Sequence, residues 1–275
     1  AAGTYVENIN FNGKSIALIG DSRESTIIDG NQSSSVITIE NFETPEIKGF
    51  TITNGLAYEG GGIYMPSASP ILKDLFITNN QAQANGGGLY HSWYGTDFSE
   101  LIVTNNQAGG NGGGLSLNGS QNNSNLVNIL VCNNSAVGWG GGIYSFGADI
   151  NINHITVSNN SSNSGGGALF IYNGAEVEMN NSILWNNSPD EIHFYESEPP
   201  NAITVSYSDI QGGQDSIATN DNGTVTWGSG NIDVDPMFVD SANGNYHLLA
   251  TSQLINAGHP DSTDSDGSRA DIGAY

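Results

Sequence analysis

The sequence predicts an all-β fold, a right-handed parallel β-helix of about eight coils with an irregular C-terminal cap. Two markers recur in step. A Gly-Gly-Gly-apolar block starts at Gly60, Gly86, Gly112, Gly140 and Gly165, at steps of 26, 26, 28 and 25 residues. An apolar-x-Asn-Asn block places its first asparagine at Asn79, Asn105, Asn133, Asn159 and Asn186, at steps of 26, 28, 26 and 27. Periods of this length denote a solenoid. The third observation selects strands over helices: the apolar runs within each repeat are short and rich in β-branched residues.

The runs are Leu75-Phe76-Ile77-Thr78, Leu101-Ile102-Val103-Thr104, Ile129-Leu130-Val131-Cys132 and Ile155-Thr156-Val157-Ser158, each closed by Asn-Asn. Earlier, Ile47 to Asn54 aligns with Leu72 to Asn79, while Ser15 to Ile19 and Thr26 to Gly30 read as strands of the first coil. Ser206 to Ile210 is the last recognisable rung, so residues 1–212 form the β-helix and residues 213–275 a capping segment packed on it. Asparagine tolerates the left-handed conformation at a tight bend, and stacked side-chain amides can bond coil to coil. The glycine triplets supply bends that no β-carbon can occupy.

Composition narrows the function classes. Five Lys and Arg stand against 28 Asp and Glu, a net charge of −23. No basic patch can be assembled, which argues against nucleic acid and anionic membrane surfaces as partners. The single cysteine, Cys132, excludes a disulfide within the chain and reads as a small packing residue. No apolar run approaches the roughly 18 residues of a membrane span. The opening Ala1-Ala2-Gly3-Thr4-Tyr5 begins as if already inside a coil, which reads as a processed or trimmed chain.

Two columns of side chains stand out once coils are stacked. The residue two places after the glycine triplet points outward if its apolar neighbour points in, and that column reads Tyr64, Tyr90, Ser116, Tyr144 and Phe170. Stacked rings make a flat amphipathic strip suited to sugar rings or to a protein. With Trp93, Tyr94 and Trp139 in adjoining loops, these aromatics are the candidate ligand-binding residues; the alternative is a ladder that only stiffens the sheet. The second column, Phe76, Ile102, Leu130, Thr156 and Ile183, faces out if Ile77 and its equivalents face in. It is too apolar for water. Phe76, Ile102, Leu130 and Ile183 are therefore interface candidates, covered either by the segment after Gly212 or by another subunit, unless the strand phase is shifted by one.

In the tail, Asp261, Asp264, Asp266 and Asp271 surround Gly267 on one loop. Alternate carboxylates with a sharp glycine turn suit calcium in a structural role, although the terminal glutamate of an EF-hand is missing. Asp271 with Arg269 as an ion pair pinning the tail is the alternative.

The alternation of Phe76-Ile77-Thr78-Asn79 with Gly86-Gly87-Gly88-Leu89 resembles the paired short repeats of chlamydial polymorphic outer-membrane proteins, which are surface β-helices implicated in adhesion. The whole chain also resembles exported bacterial β-helix repeat proteins of the pectate-lyase-like superfamily, from Gly3-Thr4-Tyr5-Val6-Glu7-Asn8 to Asp233-Val234-Asp235-Pro236-Met237-Phe238 and Ile272-Gly273-Ala274-Tyr275. These resemblances imply a secreted or surface-displayed module that binds a glycan, a cell surface or copies of itself. A polysaccharide lyase or glycoside hydrolase is the alternative, and an architectural filament subunit a third. Lyases of the superfamily use Lys or Arg, often with calcium, and here only Lys48 and Lys73 occupy adjacent coils. Asp149, Glu176, Glu178 and His154 lie on neighbouring coils as acid or base candidates. No residue is assigned a catalytic role.

Overall fold

A computed structural model describes residues 1–119, 123–197 and 199–274; Tyr275, of the closing stretch above, lies outside them. The chain winds as a parallel β-helix around one apolar core. Its three parallel sheets have 13, 8 and 5 strands. Each coil contributes a long strand to the first sheet, such as Ile71–Thr78 or Asp97–Thr104. Two residues then join the third sheet, as in Gln81–Ala82, and after the glycine triplet a strand such as Leu89–Ser92 enters the second. Neighbouring coils pair in register, Ile77 with Val103 and Val103 with Val131.

The long strands are bent within. Gly49, Asp74, Glu100, Asn128 and His154 have φ between 51° and 76° and stand just before the apolar runs Phe50, Leu75, Leu101, Ile129 and Ile155. The left-handed residue turns the chain while the ladder continues on both sides. Beyond the bend, Ile77, Val103, Val131, Val157 and Leu184 point inward and are wholly buried. Each such side chain contributes about 1.5–3 kcal/mol.

The two asparagines of each turn divide the work. The first, at Asn79, Asn105, Asn133, Asn159 and Asn186, adopts φ between 55° and 61° and makes the bend. The second points inward and builds a continuous amide ladder. Asn106 accepts at Oδ1 from the backbone N and Nδ2 of Asn80, at 3.0 and 3.1 Å, and its own Nδ2 donates to Ile77 O and Asn134 Oδ1 at 3.0 Å. The arrangement repeats through Asn134 and Asn160 to Asn187. There the ladder ends on Glu191, which accepts from Asn187 Nδ2 at 2.6 Å and from its backbone N at 3.1 Å. Burial pushes the Glu191 carboxyl up to about 7, against these donors.

The triplet marker needs one correction. Ile143 pairs with Leu169, so Gly140 corresponds to Gly166, not Gly165, and the third glycine of that coil is replaced by Ala168. The φ of +65° at Gly166 matches the +68° at Gly140.

Residues from about 232 onward run back along the outer surface of the first sheet. Leu130 is 3% exposed and packs with Cys132 and Tyr246; Ile183 is 1% exposed and packs with Leu254 and Ile272. Polar contacts fasten the segment: Asn159 Nδ2 donates to the Tyr246 hydroxyl at 2.7 Å, Gly273 N to Asn181 O at 2.9 Å, and Ala274 N to Thr156 Oγ1 at 3.1 Å. Leu130 and Ile183 are thus closed off by the chain itself and are not free to meet a second subunit. Phe76 and Ile102 stay half-buried, Ile102 beside a cleft of about 280 Å³ that also touches Ala274.

Where this segment leaves the coils, Asp209 is fully buried. Its Oδ1 accepts from Val234 N at 3.0 Å, and its Oδ2 has no partner among the described residues. Burial, with Asp233, Asp235 and Glu191 nearby, lifts its carboxyl from 3.8 to about 7. The folded chain therefore holds this proton more tightly than the unfolded chain does. The resulting stability is fully present below about pH 4 and is lost as pH rises through about 7. Asp209→Asn keeps an oxygen for the Val234 amide. It is expected to flatten this part of the stability profile and to stabilise the protein above pH 7 by on the order of 1–3 kcal/mol. Urea midpoints measured across the window check this; a slope equal to that of the parent chain would refute it.

Candidate functional site

The outward residues of the second sheet form a ladder of rings that is open at one end and closed at the other. Strand alternation carries Tyr64 and Tyr90 outward because Ile63 and Leu89 point into the core. Their rings stack at 5.6 Å with 23° between planes, and both are half-buried. Ser116 interrupts the column. Beyond it, Tyr144, Phe170 and His193 stack at 5.6 Å with interplanar angles of 11° and 14°.

The closed half corrects the expectation of an accessible strip. Tyr144 is 6% exposed and Phe170 is fully buried. Trp139, from the loop before the Gly140 triplet, lies 5.5 Å from Phe170, and Tyr195, one coil on, lies 5.6 Å from Trp139 and 4.4 Å from Tyr172. These rings cover one another, and burial raises the Tyr144 hydroxyl above its usual range. Tyr144 and Phe170 are therefore covered within an external aromatic cluster, and Trp139 stays half-buried at its edge. His193 closes the stack, with Nδ1 2.8 Å from Asp190 Oδ2 and Nε2 2.8 Å from Asn220 Nδ2.

The open half presents its rings to solvent. Trp93 is 63% exposed and holds φ +84°, uncommon for a bulky residue. With Tyr90, Ser92, Asn118, Gly119, Phe146 and Asn173 it frames a groove of about 240 Å³. On the other side, Tyr64 borders a wider groove of about 490 Å³ with Tyr58, Glu59 and Ser33 to Ser35. Tyr94 is 39% exposed and meets Phe42 edge-on at 6.0 Å, on the rim of this face.

Tyr58, Phe146, Tyr172, Asn118 and Asn173 are the members that sequence reasoning missed. Asn118, Phe146 and Tyr172 stand two residues beyond Ser116, Tyr144 and Phe170 on the same strands, so the period of two already assigned them to the outward face. Tyr58 sits two residues before its triplet, in a loop position that carries alanine or glycine in the coils at Ala84 and Gly110.

The other candidate groups do not converge. Asp266 Oδ1 accepts from Ser268 N and Oγ at 2.8 and 2.6 Å, and Asp271 Oδ1 accepts from Asn256 N at 2.6 Å. Among the described residues no group of three or more His, Cys, Asp or Glu side chains, Asp261, Asp264, Asp266 and Asp271 included, is gathered as a ready metal-ligand cluster. Arg269 pins the tail without Asp271: it donates to Gly258 O and Ala257 O and lies 5.8 Å above the Tyr207 ring. Lys48 and Lys73 are register neighbours, but Lys73 is engaged by Glu100 at 3.1 Å. Asp149 Oδ1 accepts from Glu176 N at 3.0 Å. His154 has its Nε2 buried without a partner among the described residues, and burial lowers its pKa.

The Chlamydia polymorphic membrane protein repeat matches residues 74–92, 128–145 and 154–172. Each stretch starts at a left-handed bend residue, Asp74, Asn128 or His154, and runs through the Asn-Asn turn and the glycine triplet into a second-sheet strand. No curated protein matches the chain significantly. The chain is a parallel β-helix repeat protein whose repeats are similar to those of Chlamydia polymorphic membrane proteins.

Proposed function

We propose that this chain is an adhesion-like module displayed at a cell surface, and that it engages its target through the open half of the second sheet. The observation that carries this reading is the run of rings from exposed Tyr58 through the half-buried Tyr64–Tyr90 stack to exposed Trp93, flanked by two grooves. Aromatic side chains of this kind lose little entropy on binding and dominate interface energetics. The repeats point the same way, since those they match are named for membrane proteins. Among the described residues no helix is long and apolar enough to cross a membrane. With a net charge of −23, the face suits neutral or cationic surfaces better than anionic ones.

Beads coated with the chain are expected to adhere to cultured epithelial monolayers or matrix-coated wells. The triple variant Tyr64→Ala, Tyr90→Ala, Trp93→Ala should weaken binding by roughly 30-fold or more, the loss typical of an aromatic hot spot. Its thermal midpoint, read alongside, reports on folding. Full adhesion by a correctly folded triple variant would refute the assignment of this face.

A further inference from the structure

We propose that the groove between Trp93 and Phe146 is a subsite for one neutral hexopyranose ring of a glycan. This rests on the aromatic face being the binding face and names the ligand class it takes.

The walls are flat and apolar where a sugar is apolar. Trp93 stands 63% exposed, anchored by its backbone N donating to Asn118 O at 2.8 Å. Tyr90 is held in place by its stack on Tyr64, and Phe146 by an edge contact with Tyr172 at 5.0 Å. Such ring faces match the C–H face of a pyranose. The polar groups stand where hydroxyls would emerge. Asn118 Nδ2 donates to Ser116 Oγ at 3.1 Å; among the described residues its Oδ1 has no partner and the Asn173 side-chain amide makes no hydrogen bond. Ser92 is already committed, donating to Pro66 O at 2.6 Å.

Charge and backbone then restrict the occupant. None of the lining residues is charged, and the chain as a whole is strongly acidic, which disfavours uronates and sulfated sugars. Strands Leu89–Ser92 and Leu115–Asn118 are paired on both sides, so no free edge exists for a peptide to add as a strand. The volume, about 240 Å³, lies below that of a drug-sized cleft and admits a single ring.

The test is titration of the full chain with cellotetraose, maltotetraose, mannotetraose and lactose, followed by the indole N–H resonance of Trp93. Tetragalacturonate and a proline-rich peptide serve as contrasting probes. At least one neutral sugar is expected to shift that resonance saturably and to leave the other three tryptophans unmoved. Phe146→Ala should weaken binding by roughly 30-fold, and Asn173→Ala by roughly 5-fold. Val239→Ala, an exposed residue of the tail away from this sheet, should leave it unchanged. Absence of a saturable shift with any neutral sugar, preference for the uronate or the peptide, or undiminished binding by Phe146→Ala would each overturn the proposal. Adhesion by the chain without sugar binding would overturn this inference alone; sugar binding together with adhesion untouched by the triple variant would overturn the adhesive reading instead.

Discussion

Asn134→Ala is expected to reduce the unfolding free energy by about 3–5 kcal/mol, as judged from the hydrogen bonds it abolishes. The Asn134 amide sits at 1% exposure in the middle of the ladder. Its Oδ1 accepts from Asn106 N and Nδ2, both at 3.0 Å, and its Nδ2 donates to Val103 O and to Asn160 Oδ1, both at 2.9 Å. Truncation orphans the Asn106 backbone N–H inside the turn, where an unmet group costs about 1–3 kcal/mol, and strips the Val103 carbonyl and Asn160 Oδ1 of a donor each. Asn133, its neighbour, makes the left-handed bend at φ 56° and points to solvent. Asn133→Gly should therefore stay within about 0.5 kcal/mol of the parent chain, since glycine accepts that conformation freely. Urea unfolding of both variants makes the comparison. Equal losses at the two positions would show that the amide ladder contributes nothing beyond the bend.

Gly113→Ala should be more damaging still, at more than about 4 kcal/mol, the range reserved for changes the fold cannot absorb. A β-carbon at Gly113 would lie 2.5 Å from both Gly141 O and Ser135 O and 2.6 Å from Ser135 C. These are backbone atoms of the next coil, and Gly113 N itself donates to Gly140 O at 3.0 Å, so the two turns cannot separate without breaking the stack. Gly119→Ala provides the contrast, because among the described residues its β-carbon would meet only Ala148 Cβ at 3.9 Å and Trp93 N at 4.0 Å. The expected result is a folded Gly119→Ala chain and a Gly113→Ala chain that melts at least about 10 °C lower or is recovered only as aggregate. A Gly113→Ala chain with an unshifted melting transition would contradict the close approach of the coils.

Particular residues show how far the pattern could be followed. The Asn-Asn pairs were legible as bends and as amide ladders, since both roles follow from asparagine chemistry. Which asparagine takes which role was not, because that depends on which side chain faces the core. Asp74, Glu100, Asn128 and His154 were passed over: a polar residue before an apolar run looks like the end of a strand, whereas here the strand continues through a left-handed bend. The phase slip at Gly165 has a similar origin. Three glycines are present, but the coil above uses Gly166, Gly167 and Ala168, and only the pairing of Ile143 with Leu169 reveals it.

By itself the sequence determined the coil length, the parallel stacking, the turn chemistry and the line of outward aromatic residues. Those features repeat along one dimension, and each copy is set by local backbone preference and alternation. Tertiary structure alone decided which rings remain accessible. Trp139 and Tyr195 fold over Phe170, while Trp93 stands clear of Tyr90, and the tail from about residue 232 seals Leu130 and Ile183. Burial of an outward face depends on segments distant in the chain and outside the repeat, whose placement no periodicity encodes.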